Sequence, residues 1–162
     1  MEFNPIDKVS ELTEMLKSYD PIIHSKSAEG YDWLDEDSFC IELPSHSAGD
    51  SLTIECGSYG EFTVSFSYYH SHYSANDFEY GCMCERLADL LNNKYCAAAM
   101  FCGSENKWMG STIIEKEKIS HSLEEIFDFV FERNEFAEKL RTNGGEARFI
   151  FWDINLNKII KF

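Results

Sequence analysis

A chain of 162 residues with 29 carboxylates against 14 lysines and arginines carries a net charge of −15 and a pI near 4.6. That balance excludes an affinity for nucleic-acid backbones or anionic membrane surfaces, whose phosphates repel it, and favours a basic partner. A hydrophobic fraction of 44%, with 15% aromatics, excludes disorder, and the length suits one domain spanning residues 1–162.

Asn4 followed by Pro5 is a helix start, and Ile6, Val9, Leu12, Met15, Leu16 and Tyr19 then recur at helical spacing until Pro21. Residues 22–38 are irregular and acidic and read as an exposed loop carrying Tyr31, Trp33 and Leu34. Three alternating runs follow: Phe39 to Leu43, Leu52 to Cys56, and Phe62 to Tyr69, joined by glycine-containing connections. They predict an antiparallel meander whose wet face carries Glu42, Thr53, Glu55, Thr63, Ser65, Ser67 and Tyr69. Asn76 or Asp77 caps a second helix with Tyr80, Cys84, Leu87, Ala88, Leu90 and Leu91 on its inner stripe. Tyr95 to Cys102 is apolar throughout, as in a strand buried on both faces, and Trp108 to Glu115 is its hairpin partner. Ser122 with Glu125 forms a capping box for a third helix, running through Phe127 and Phe131 towards Leu140 and stopped by Asn143-Gly144-Gly145. Ala147 to Asp153 and Lys158 to Phe162 flank a turn and close the chain as a hairpin. The prediction is an α+β fold, a mostly antiparallel sheet of about seven strands with three helices in the order α-β-β-β-α-β-β-α-β-β.

The N-terminus lacks the basic and apolar regions of a signal peptide, and no apolar run approaches the ~18 residues that span a bilayer. The six cysteines (Cys40, Cys56, Cys82, Cys84, Cys96 and Cys102) sit mostly in apolar segments and read as reduced thiols. A cytoplasmic location is therefore expected.

Between Ser27 and Glu85 there is no lysine or arginine and there are twelve carboxylates, so this stretch holds −12 of the total charge. Within it, His70-Ser71-His72 sets two imidazoles on one side of an extended segment. With Asp77 and Cys82 or Cys84 they could serve a metal- or thiol-dependent enzyme. However, Cys82 and Cys84 on a helix point about 200° apart, unlike the ligand spacing of zinc sites. The chain carries no phosphate-binding loop, no nucleophile elbow and no His-Glu-x-x-His run. No catalytic residue, metal or cofactor is expected. An acidic surface with interleaved aromatics instead suits protein recognition, with carboxylates steering a basic partner and aromatics anchoring it. Acidic mimicry of a nucleic acid, directed at a DNA-binding protein, has the same electrostatics.

The run GEFTVSFSYYHSHYS (60–74), with Tyr69-His70-Ser71-His72-Tyr73 at its end, resembles immunity proteins of bacterial polymorphic-toxin and contact-dependent growth-inhibition systems. The resemblance implies a non-enzymatic monomer or homodimer that binds and neutralises a cognate toxin domain, often a basic nuclease. The expected binding residues are Tyr31, Asp32, Trp33, Asp35, Glu36, Asp37, Glu55, Tyr69, His70, His72, Tyr73 and Asp77.

Overall fold

Residues 3–45, 49–57, 60–120 and 134–162 are described by a computed structural model. They form an α+β protein with two antiparallel sheets, one of five strands and one of four. The expected sheet of about seven strands is thus corrected to two sheets holding nine strands in all. The chain divides into two compact units: Met1–Phe66 with His70–Leu87, and Ser67–Tyr69 with Ala88–Phe162.

The first unit begins as its local chemistry dictates. Asn4 has an extended backbone and its side chain accepts a hydrogen bond from the Ile6 amide at 3.2 Å. A 3-10 turn over Pro5–Lys8 then leads into helix α1 (Val9–Met15). Asp20, left-handed at φ 52, redirects the chain into strand β1 (Ile22–Ser25), which occupies part of the expected loop. Strands β2 (Phe39–Leu43), β3 (Leu52–Cys56) and β4 (Glu61–Phe66) are the expected meander. The third run does not continue to Tyr69, however. Ser67 takes φ 54, and the chain reverses into β5 (Tyr69–Ser74), so the His-x-His segment is a strand in its own right.

The sheet order is β1-β2-β3-β4-β5. One face buries Ile41, Leu43, Leu52, Ile54, Phe62, Val64, Phe66 and Tyr73. Leu12 and Leu16 from the N-terminal helical segment are buried as well, as are Tyr80, Met83 and Leu87 of helix α2 (Asp77–Leu91). The rings of Phe3, Phe62 and Tyr80 meet at centroid distances of 5.5 to 6.1 Å. A fully buried side chain such as Phe62, Leu12 or Met83 contributes about 1.5–3 kcal/mol of hydrophobic stabilisation. Asn76 is the cap of α2, its Oδ1 accepting from the Glu79 amide at 2.9 Å. The inner stripe of α2 uses Met83 where Ala88 was expected; Ala88 is exposed.

In the second unit, β6 (Tyr95–Cys102) is buried on both faces, as its unbroken apolar run predicts. It pairs with β7 (Lys107–Glu115) on one side and with β8 (Gly145–Ile150) on the other; β8 in turn pairs with β9 (Lys158–Lys161). Cys96, Ala98, Met100, Ile114, Leu140, Ala147, Phe149 and Phe151 form its core. Leu140 comes from α3 (Asn134–Asn143), which ends where Gly144 adopts φ 70. The capping box at Ser122 and the first part of that expected helix lie outside the described residues. Among the described residues no helix is long and apolar enough to cross a membrane.

The division into units also divides the charge. The first holds 17 carboxylates against four cations, a net −13, and the second holds 12 against ten, a net −2.

Candidate functional site

The face of the five-stranded sheet opposite its core is the site candidate. Directly paired residues of neighbouring strands share a face. The register therefore places His24, Cys40, Glu55 and Thr63 in one row, and Ile22, Glu42, Thr53 and Ser65 in the next. The first row extends onto β5, because Thr63 Oγ1 lies 3.1 Å from His72 Nδ1. The same nitrogen is 3.2 Å from Glu61 Oε1, and the ring of His70 stands 5.6 Å from that of His72. No strand from β1 to β5 contains a lysine or arginine. Histidine is the only side chain on these strands that can turn positive.

Glu42 gathers one end of this face. Its carboxylate lies 2.9 Å from His24 Nε2 and accepts from Ser51 Oγ at 2.9 Å and from the Tyr31 hydroxyl at 3.1 Å. Burial pushes the Glu42 pKa up, but the bonds from Ser51, His24 and Tyr31 outweigh it and hold the carboxyl below its ordinary range. The Tyr31 ring stacks on His24 at 3.9 Å with only 8° between planes. Burial, aided by the Glu42 carboxylate, pushes its phenol up to about 12, so it stays a donor at any physiological pH. Tyr31 thus pins the acidic loop to the sheet. Cys40, in the outer row, is accordingly buried.

Glu55 on the central strand behaves oppositely. Burial raises its pKa, and the neighbouring charges of Glu61 and Asp35 raise it further, against a smaller opposing effect of His72. Glu55, Glu61 and Asp35 therefore form a group of three carboxylates, and the strands of the sheet hold no lysine or arginine. The loop adds Asp32, Glu36 and Asp37, all exposed, with Glu36 paired to Lys26 at 3.1 Å. Trp33 is 58% exposed; its indole nitrogen donates to the Gly30 carbonyl at 3.1 Å, which orients the ring outward beside Tyr31.

Of the residues expected at a binding surface, the fold therefore brings Tyr31, Trp33, Asp35, Glu55, His70 and His72 to one face. Tyr73 is corrected: it alternates with His72 along β5, points into the core and is 8% exposed. Tyr69 alternates with His70 and so falls on the side opposite the histidines. Asp77 is exposed in the first turn of α2. Tyr68 belongs to the second unit, where its ring meets Phe101 edge-on at 5.3 Å and its hydroxyl accepts from Arg148 at 3.3 Å. Sequence reasoning missed His24 and Ser51 as partners of Glu42. The alternation of Ile23 and His24 was the available sign, but a four-residue run is too short to separate from loop.

Chemically, the face offers fixed negative charge, two exposed imidazoles and an exposed indole. Among the described residues no group of three or more His, Cys, Asp or Glu is arranged to hold a metal ion. Burial pushes the thiols of Cys40, Cys56 and Cys96 up to about 12, and raises that of Cys84 despite an opposing hydrogen bond with Tyr80. Such thiols remain protonated near neutrality and are poor nucleophiles. Compared with known proteins, the chain matches no family model, no curated protein and no solved structure.

Proposed function

We propose that this protein is an immunity-type inhibitor that captures a basic toxin domain, a nuclease by the logic of charge, on the outer face of its five-stranded sheet and the loop over residues 26–38. The observation that carries the reading is the gathering of Glu55, Glu61 and the loop residue Asp35 on a sheet whose strands have no lysine or arginine. A cationic groove built for phosphates would meet carboxylates at Glu42, Glu55 and Glu61 instead, and be occluded. Trp33 and the two histidines supply the anchor and rim such interfaces use, and charge complementarity supplies speed of association. The inhibitor needs no turnover, only a stoichiometric complex of standard size, on the order of 1,600 Å² buried.

The test is co-expression with the product of the neighbouring gene. The expected result is a one-to-one complex, relief of that product's toxicity, and loss of both when Asp35, Glu55 and Glu61 are changed together to Asn, Gln and Gln. A neighbouring product that is neither toxic nor bound, or a complex indifferent to the triple change, overturns the reading.

A further inference from the structure

We infer that a cleft beside the sheet receives one arginine or lysine side chain from an extended segment of the basic partner; this rests on the proposed function and specifies a second point of contact. The cleft, about 730 Å³, is walled by Phe3, Ile6 and Phe39 and rimmed by Asp7, Glu36 and Asp37. Its volume falls within the ~300–1,000 Å³ of clefts that take small ligands or a side chain with its flanking backbone. Three separate pieces of chain build it: the N-terminal turn, the end of the acidic loop, and Gly60 before β4.

The lining combines two demands that few groups meet together. The apolar walls call for a hydrocarbon stem, and three carboxylates on the rim call for a cationic head. Arginine and lysine carry both, burying the stem while the head stays at a polar rim. A neutral or anionic ligand would leave the rim uncompensated, and a small inorganic cation would leave the walls in contact with water. The protein's own cations do not fill the role. Lys8, next to Asp7, turns away to Glu11 at 2.8 Å and lies over the Tyr80 ring at 4.7 Å. Lys26 reaches Glu36, but both side chains are exposed to solvent, and such a surface pair is weak and readily exchanged. Among the described residues Asp7 and Asp37 have no ion pair. Phe39 shares the face of Ile41 and Leu43, so the cleft opens on the core side of the sheet, and Glu36 and Asp37, which follow Asp35 on the same loop, link it to the edge of the outer face within the first unit.

The experiment is an NMR titration of the isotopically labelled full chain with three blocked tripeptides: acetyl-Gly-Arg-Gly-amide, its lysine counterpart, and the citrulline analogue, which keeps the shape of arginine without its charge. Saturable shifts at the amides of Ile6, Asp7 and Gly60 are expected for the arginine and lysine peptides. At least tenfold weaker binding is expected for citrulline, and at least fivefold weaker arginine binding for the doubly substituted Asp7→Asn, Asp37→Asn protein. Equal binding of citrulline, shifts confined to the sheet face, or no saturable shift at all overturns the inference. A toxin complex that forms normally with the Asp7→Asn, Asp37→Asn protein also sinks the cleft while leaving the proposed function intact. Arginine binding in a chain that captures no toxin does the reverse.

Discussion

Two glutamates thirteen positions apart in the chain, Glu42 and Glu55, have been given opposite electrostatic settings on the same sheet face. Glu42 accepts from Ser51, His24 and Tyr31 and is held below the usual carboxylate range. Its unfolded value lies near 4.5, so the stability it contributes is present above that pH and is lost as pH falls through the lower folded value. Glu42→Gln should therefore cost about 1–3 kcal/mol in urea unfolding at pH 7, and the gap to the parent should close in strong acid. Glu55 is raised by burial and by Glu61 and Asp35, so its penalty appears as pH climbs through the folded value. Glu55→Gln should stabilise the protein by about 0.5–1 kcal/mol at pH 7 and change nothing below the ordinary carboxylate range, where both states are protonated. The same substitution should weaken capture of a basic partner. A stability gain accompanied by a binding loss is the mark of a carboxylate kept for recognition, and a gain in both would contradict that role.

At the scale of elements, β5 is where sequence reading and structure part. A turn normally advertises itself with Gly, Asn or Asp, residues that tolerate positive φ cheaply. Here Ser67 takes φ 54 inside the run Ser65-Phe66-Ser67-Tyr68-Tyr69, and nothing in its composition announces a reversal. Once β5 is a strand, alternation decides its side chains: His70 and His72 outward, Tyr73 inward. Tyr73→Ala should then cost about 3 kcal/mol or more, as for other large core truncations, whereas His70→Ala and His72→Ala should each stay within about 0.5 kcal/mol in chemical denaturation. In the other unit, β8 sits against β6 so closely at Gly145 that a β-carbon would collide with the Phe101 carbonyl and the Leu140 side chain. Gly145→Ala should destabilise the fold by about 1–3 kcal/mol for this reason, measurable as a lowered melting temperature. The glycine reads in the sequence only as a helix stop; its packing role needs the partner strand.

For the whole molecule, the informative quantity is the contrast between a unit at −13 and a unit at −2. Such a field steers a basic partner toward one part of the surface, and salt screens it over about 10 Å at 0.1 M. Association with a basic partner should slow at least tenfold between about 50 and 500 mM salt in stopped-flow measurements, with a much smaller change in dissociation rate. A rate indifferent to ionic strength would remove steering from the proposed function. Several features of this scale were legible without coordinates: the α+β class, the antiparallel pairing of β2 to β4, the doubly buried β6 and the closing hairpin. Each rests on periodicity or on glycine-bearing turns, which are local properties.

The amino-acid sequence alone determined where the charge lies, which strands alternate, and how Asn4 caps its segment, because these depend on residues within a few positions of one another. Only the tertiary structure decided that β8 crosses some fifty residues to pair with β6, so that two sheets form instead of one. It alone brought Tyr31 onto His24 and both onto Glu42. Long-range pairing is chosen by which partner best satisfies a strand edge or a buried carboxylate, and that partner is not written in the local pattern.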